Sequence, residues 1–298
     1  MQIPLSSFEI VTGLPEIFGY IFIIICGAAV GSFLNVVIHR VPIEESVIFP
    51  NSACPKCRNP IKFHDNIPLF SWLILRGKCR RCQIPISPRY FAVELLTALL
   101  FGLIFWQIGF NAFLPVCLIF AASVIALVFI DAENMILPNV ITYPLLVFSL
   151  LVRLVLPLFF NASYFTDLKF FPLNQIENYP LWFVSLSGAI LGSLVGGGFL
   201  WLVGAAWKKL RGVEAMGLGD VKMMFAVGAF LGWRLTILTI FIGAFTGAVA
   251  GILVIARQKE KDFQAQIPFG IFLGIGSIVS LLSGEQFIRW YIETFLPK

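Results

Sequence analysis

The sequence predicts an all-α fold: a polytopic membrane helix bundle of about eight transmembrane helices with a small cytoplasmic zinc-binding insertion. Composition is the first reason, because 59% of the 298 residues are hydrophobic, 12% are charged, and the mean hydropathy is +0.92, far above that of soluble domains. The apolar residues also fall in long uncharged runs, and four of the six cysteines share one polar segment. We therefore expect the chain to lie in a lipid bilayer.

Uncharged windows of roughly 20 apolar residues mark the membrane helices, because a helix of that length crosses a hydrocarbon core about 30 Å thick. The predicted spans are 17–38, 90–108, 114–131, 138–159, 181–207, 220–232, 235–256 and 268–283. The sixth is short, and at about 1.5 Å per residue it crosses only part of the membrane. Residues 217–219, which precede it, are therefore expected to lie in a depression or a re-entrant loop.

Basic residues predict the orientation of these helices. Most of the 21 Lys and Arg residues lie in three connections, at residues 40–89, 208–222 and 257–261. Cytoplasmic loops are enriched in Lys and Arg, so both termini are expected outside and these connections in the cytoplasm. The net charge of +5 is then a topology signal, and no nucleic-acid partner is expected. Residues 1–16 lack a basic region, so we expect the first helix to remain in the mature protein.

The polar segment after the first span carries two C-x2-C knuckles, Cys54–Cys57 and Cys79–Cys82, separated by 21 residues. This spacing is typical of tetrahedral four-cysteine zinc sites. A disulfide reading is disfavoured because the loop is predicted to face the reducing cytosol. A small domain without a hydrophobic core is expected to fold only with metal, so zinc is predicted to be structural. A nucleic-acid-binding ribbon is a weaker alternative, since no aromatic platform accompanies the basic residues.

Both histidines of the chain, His39 and His64, belong to this region. They are alternative metal ligands or catalytic bases. With four cysteines available, we expect them instead to be solvated or packed.

Ionisable residues at membrane spans are functional candidates by default, because a charge in the bilayer is costly. The candidates here are Glu94, Asp131, Glu133, Arg153 and Asp220. Asp131 follows an uncharged run of about 25 Å, and a tight turn at 132–137 should hold it at the inner interface. Asp220 follows Gly217-Leu-Gly219, whose glycines permit close backbone approach, and opens the sixth span from the same side. Glu94 and Arg153 are expected to be structural, with Arg153 extending outward.

Two aspartates that meet can hydrolyse a peptide bond, because one activates water while the other protonates the leaving nitrogen. The helix C-terminus near Asp131 disfavours its anion, and the N-terminus near Asp220 favours one. This predicts Asp220 as the base and Asp131 as the acid. Alternatively, Asp220 only caps its helix and Asp131 is an ordinary interfacial carboxylate. Serine catalysis is weaker, because the chain has no G-x-S-x-G motif and no histidine near a plausible serine.

The ordered motifs of the chain are similar to those of the bacterial type IV prepilin peptidases, a family of GxGD membrane aspartic proteases. The motifs that carry the resemblance are the two cysteine knuckles and residues 31–42, 65–72, 85–90, 93–98, 131–138, 217–222 and 228–233. The resemblance implies that Asp131 and Asp220 are catalytic and that Gly217 and Gly219 are the glycines of GxGD. It also implies prepilin and pseudopilin substrates, cleaved at the cytoplasmic face of the bacterial inner membrane.

Relatives with the tetracysteine loop also methylate the new N-terminus with S-adenosylmethionine, so the resemblance implies this second activity. No Rossmann G-x-G-x-x-G motif points to a methyl-donor site. The expected organisation is a first transmembrane helix (1–39), a cytoplasmic tetracysteine zinc domain (40–89) and a transmembrane aspartic protease core (90–298). The departures from the family pattern are Ile271, where many relatives have proline, and a long outer stretch at 161–180.

Two rival classes remain from the sequence. One is a transporter in which Asp131 and Asp220 carry protons. The other is a non-catalytic assembly scaffold for a pilus or a secretion machine.

Overall fold

The computed structural model describes residues 7–54, 56–159, 179–213, 216–257 and 268–295. Within these ranges the regular secondary structure is helical, and pairing between extended residues is limited to two isolated bridges, Ala53 with Pro60 and Lys78 with Pro85. The helices are α1 (Ser7–Thr12), α2 (Glu16–Arg40), α3 (Phe70–Ile74), α4 (Pro88–Ile108), α5 (Leu114–Asn134), α6 (Asn139–Phe159), α7 (Leu181–Ser193), α8 (Phe199–Arg211), α9 (Leu218–Leu231), α10 (Trp233–Arg257) and α11 (Phe269–Phe295). The predicted all-α fold class is confirmed.

Seven segments of the described chain are long and apolar enough to cross a membrane. A π-helical turn, Leu194–Gly198, joins α7 and α8 into one of them, Leu181–Arg211. The predicted sixth span corresponds to α9, which has 14 residues and therefore a length of only about 21 Å. The chain is thus a multi-pass membrane protein. Most of the predicted long outer stretch at 161–180 lies outside the described residues.

The chain divides into two compact units, Met1–Ala126 and Leu127–Lys298, and the division falls within α5. In the first unit α2 packs against α4 through small residues. A Cβ on Gly27 would lie 2.8 Å from the Ala98 Cα, and a Cβ on Gly31 would lie 2.7 Å from the Glu94 Cα. Small residues allow such close backbone approach between membrane helices. This contact fixes both ends of the segment that carries the cysteines.

In the second unit the short helix α9 packs against α6, α7, α10 and α11. The backbones of Gly192 in α7 and Gly228 in α9 are in direct contact. Nearly every residue from Asp220 to Leu231 is buried. A helix surrounded by other helices does not need to span the lipid by itself, which explains why 14 residues are sufficient here.

The expectation that Arg153 extends outward is wrong, because this side chain is 3% exposed. The buried residues of α6 include Thr142, Leu145, Ser149 and Val152, which follow helical spacing. Arg153 belongs to the same stripe, and this stripe is enclosed because α6 packs against α7 and α9. The position of Arg153 on the buried face of α6 therefore determines where its side chain points. The tendency of long cationic side chains to reach the membrane interface has less influence here.

Candidate active site

Asp131 lies in the last turn of α5. The helix continues to Asn134 and ends where the Met135 N–H donates to the Asp131 carbonyl at 2.9 Å. Met135 has a φ of 54°, which turns the chain sharply. The predicted turn at 132–137 is therefore shorter than expected, because its first three residues are still helical.

Asp220 is the third residue of α9, whose N-cap is Gly217. Its carboxylate accepts a hydrogen bond from the backbone N–H of Gly217. This contact resembles half of a capping box, so the capping role that the sequence allowed is present. Capping does not use up a carboxylate, since its two oxygens offer about four lone-pair positions.

Both aspartates line one cavity of about 360 Å³ within the second unit. Asp131 is 5% exposed and Asp220 is 8% exposed, so both acidic groups are largely buried beside the same cavity. The rest of the lining consists of Met135, Ile136, Leu137, Pro138, Asn139, Gly217, Gly219 and Lys222. The structure thus brings together, around one cavity, the four residues that the sequence singled out in the two membrane motifs.

Gly219 and Gly217 meet different surroundings. A Cβ on Gly219 would lie 2.9 Å from the Leu137 Cβ, so the turn after α5 packs directly on the start of α9. A Cβ on Gly217 would lie 3.6 Å from Asp220 Oδ2, which is ordinary contact, and its φ of −67° suits any residue. The predicted close approach is therefore found at Gly219 and not at Gly217.

We expect Gly219→Ala to destabilise the protein by about 1–3 kcal/mol, because the added methyl displaces Leu137 from the cavity wall. Gly217→Ala is expected to change stability by no more than about 1 kcal/mol, since the cap position tolerates alanine sterically. Thermal unfolding in detergent measures both changes. A loss at Gly217→Ala equal to that at Gly219→Ala would contradict the packing described above.

A third helix reaches the site at Asp131. The Ile271 N–H, at the start of α11, donates to Asp131 Oδ2 at 3.2 Å, and the Gly270 N–H is a second donor to this carboxylate. A Cβ on Gly270 would lie 2.7 Å from Asp131 Oδ2, so only glycine fits. Sequence reasoning missed this role, although the Pro-Phe-Gly that opens the last apolar run was a usable signal.

The N-terminus of α11 changes the electrostatic comparison between the two acids. The prediction of Asp220 as the base considered only the helices that carry the aspartates. Helix N-termini favour anions, and α11 directs its N-terminus at Asp131. The difference in anion stability between Asp131 and Asp220 that was deduced from α5 and α9 alone therefore no longer holds.

Lys222 is a further polar residue of the cavity, which the sequence used only as a topology signal. Its Nζ donates to Asn139 Oδ1 at 2.9 Å and lies 5.4 Å from the centre of the Tyr143 ring. Asn139 is the first residue of α6. The contact ties α9 to α6 and keeps a cation beside the two carboxylates.

The four cysteines form a separate cluster in the first unit, with all four Sγ atoms within 4.8 Å of one another. The Cys54 and Cys82 Sγ atoms are 3.7 Å apart. A tetrahedral zinc with bonds of about 2.3 Å requires sulfur separations of about 3.8 Å, so the donor set fits this metal. Within the described residues neither histidine joins the cluster, and His39 and His64 are both exposed, as expected.

The two knuckles have equivalent backbones. The Cys54 N–H donates to the Asn59 carbonyl and the Cys79 N–H to the Ile84 carbonyl, at 3.0 and 2.9 Å. Hydrogen bonds from the backbone of Cys57 and Lys56 lower the pKa of Cys54 to about 6. At Cys82 the Ile84 N–H favours the thiolate, but desolvation and the neighbouring thiols outweigh it and raise the pKa to about 11. Four crowded thiols resist ionising together because their negative charges repel one another. A bound divalent cation would remove this repulsion.

The fold and the site define a class: a multi-pass membrane protein with two buried carboxylates at one cavity and a four-cysteine group that can hold a metal ion. Comparison with models of protein families identifies the family. Residues 25–108 match the bacterial peptidase A24 N-terminal domain, and residues 118–252 match the type IV leader peptidase family. The chain belongs to the type IV leader peptidase family.

Similar proteins cover most of the chain. The prepilin leader peptidase/N-methyltransferase of Aeromonas hydrophila is 36% identical, over 97% of this chain and 98% of its own length. Proteins with the same name from Pseudomonas aeruginosa and Neisseria gonorrhoeae are 34% and 39% identical, over 91% and 80% of this chain and 92% and 84% of their own lengths. No solved structure matches the chain at a significant level.

Proposed function

We propose that this protein is a prepilin leader peptidase and N-methyltransferase. It cleaves the leader of type IV prepilins and pseudopilins and methylates the new N-terminus. Family membership and near full-length similarity to proteins of that name carry this conclusion. Family membership supports a bacterial inner-membrane location, and the positive-inside count supports a cleavage site at the cytoplasmic face. The division into residues 1–39, 40–89 and 90–298 remains our proposal for its functional regions.

For the cleavage step we propose that Asp131 and Asp220 act as a pair. Both are buried side chains that line one cavity, where one ionised carboxylate takes a proton from water while the other gives a proton to the leaving nitrogen. Asp131 accepts two backbone N–H groups from α11, and Asp220 accepts one from Gly217. These contacts favour Asp131 as the ionised base and Asp220 as the acid, the reverse of the assignment from helix ends.

The role of α11 predicts a specific effect of Gly270→Ala. The new methyl group would push the Asp131 carboxylate away from its donors, so kcat is expected to fall by roughly 10²-fold with little change in KM. The matched control is Gly276→Ala, on the same helix, where a Cβ would lie 2.7 Å from the Thr239 carbonyl oxygen. This variant crowds the helix to a similar degree, but at a position away from the two aspartates. Equal losses of kcat in the two variants would show that α11 acts only through packing.

For the metal we propose one structural zinc ion, held by Cys54, Cys57, Cys79 and Cys82. For the second activity we propose S-adenosylmethionine as the methyl donor, which the name of the relatives supports. When bound, S-adenosylmethionine would supply the methyl group to the amine exposed by cleavage, and a proton and S-adenosylhomocysteine would be released. We assign no residues to the binding of this donor.

The proposal is tested with purified full-length protein in detergent, a prepilin and S-adenosylmethionine labelled in its methyl group. The expected result is a shortened prepilin that carries the label on its new N-terminal amine. Uncleaved prepilin would contradict the peptidase assignment and favour a transporter or a scaffold. Cleavage without label would contradict only the methylation step.

A further inference from the structure

Helix α3, in the cysteine-containing segment, presents an apolar face to its surroundings. Phe70, Leu73 and Ile74 are 64%, 55% and 73% exposed. Positions i, i+3 and i+4 of a helix lie on one side, so these side chains form one patch. The adjacent Ser71 is buried, and its hydroxyl accepts from the Ile67 N–H at 2.9 Å and donates to the His64 carbonyl at 3.1 Å. A water-facing domain does not need such a patch.

The segment is anchored to the transmembrane helix α4. The Leu69 N–H donates to Glu94 Oε2 at 2.7 Å, and the Trp72 ring lies 5.1 Å from the Phe91 ring. Leu69 has a φ of 65°, a conformation that residues other than glycine rarely adopt. The buried Glu94 carboxylate needs hydrogen-bond donors, and this strained residue supplies one of them. Helix α3 is therefore held alongside the first two turns of α4.

The length of α4 sets the level of this contact in the membrane. Its 21 residues extend about 31 Å, barely the thickness of a hydrocarbon core of about 30 Å. Glu94 is the seventh residue of α4 and lies about 9 Å from Pro88 along the helix axis. A helix with so little spare length places its first turns at the membrane boundary. The exposed face of α3 lies at the same boundary, because α3 runs beside those turns.

The charges around α3 suit a lipid surface. Lys62 precedes the helix, Arg76 and Lys78 follow it, and all three are exposed. Asp65 is the one acidic residue between Lys62 and Lys78, and it is paired with Arg80 at 2.6 Å. Apolar side chains flanked by basic residues are typical of elements that lie in the interface of anionic membranes.

We propose that α3 is a membrane-docking element that inserts Phe70, Leu73 and Ile74 into the boundary between headgroups and acyl chains. Lys62, Arg76 and Lys78 bind the anionic headgroups beside it. The second knuckle of the four-cysteine site, which begins at Cys79, follows α3 after residues 75–78, so docking holds this site close to the membrane surface. The occupant of the apolar face is thus the lipid bilayer and not a second protein.

Photocrosslinking of the full-length protein in nanodiscs tests this proposal. The photoreactive amino acid p-benzoylphenylalanine replaces Phe70 or Ile74, and intact mass spectrometry detects lipid adducts. Trp106, which is 69% exposed on α4, is the positive control, and Gln83, in the turn after the second knuckle, is the negative control. All four positions are exposed, and the zinc content and thermal unfolding of each variant check that its fold is kept.

The expected result is lipid adducts at positions 70 and 74 at roughly the yield of position 106 and about tenfold above that of position 83. Phosphatidylglycerol is expected to form adducts in excess over its share of the membrane. Yields at the level of position 83 would overturn the proposal. So would adducts that form with an added prepilin in place of lipid, because the face would then bind protein.

Discussion

Replacing either Asp131 or Asp220 with asparagine is expected to lower kcat for prepilin cleavage by roughly 10³-fold or more, because general acid–base catalysis then loses one of its two partners. Asparagine keeps the shape of the side chain but can neither accept nor release the required proton. KM is expected to change little, since these groups act on the scissile amide and contribute little to binding of the substrate helix. Initial rates with a purified prepilin measure both parameters.

Glu133→Gln is the matched control for these two variants. Glu133 is exposed, lies two residues after Asp131 and does not line the cavity, so Glu133→Gln removes a nearby charge but no residue of the cavity wall. We expect it to cleave at close to the wild-type rate. Wild-type activity in either aspartate variant would remove that residue from the catalytic pair.

Removal of the metal is expected to unfold the cysteine-containing segment. Structural zinc contributes on the order of 10 kcal/mol to the folding of small zinc domains, and the described residues of this segment form no apolar core that would replace it. Cys54→Ser and Cys82→Ser are each expected to lower the zinc content from one ion per chain to nearly none. Zinc analysis and limited proteolysis of residues 40–89 measure the two effects.

Cys26→Ser is the control for the zinc prediction, because Cys26 lies in α2 and is outside the cluster. It is expected to keep the full zinc content. Zinc binding displaces thiol protons, so zinc affinity should fall as the pH is lowered. Assays of both activities in Cys54→Ser then show whether the zinc fold supports cleavage and methylation or methylation alone. Full zinc content in both Cys54→Ser and Cys82→Ser would contradict the metal assignment.

Local patterns in the sequence were sufficient to predict the membrane helices, the short α9 and the cysteine knuckles. Each of these follows from residues close together in the chain: an apolar run, a spacing of cysteines, a charge after a run. The convergence of Asp131 and Asp220 on one cavity also followed, because the predicted topology brought both motifs to the same side.

Contacts between distant residues could not be read from the sequence. Ile271 is 140 positions from Asp131, and its hydrogen bond depends on how α11 packs in the second unit. The contact of Lys222 with Asn139 spans 83 positions in the same way. The predicted direction of the Arg153 side chain was wrong because it depends on which face of α6 is enclosed by other helices. The reversal of the proposed acid and base roles follows from this kind of long-range contact.

The central claim is that Asp131 and Asp220 form one catalytic unit, and a double-mutant cycle tests it most directly. Residues that act as a unit have strongly non-additive effects on the rate. We predict that the double variant Asp131→Asn/Asp220→Asn cleaves prepilin no more slowly than the slower single variant. Losses that multiply, so that the double variant is slower by the product of the two single effects, would show that the carboxylates act independently.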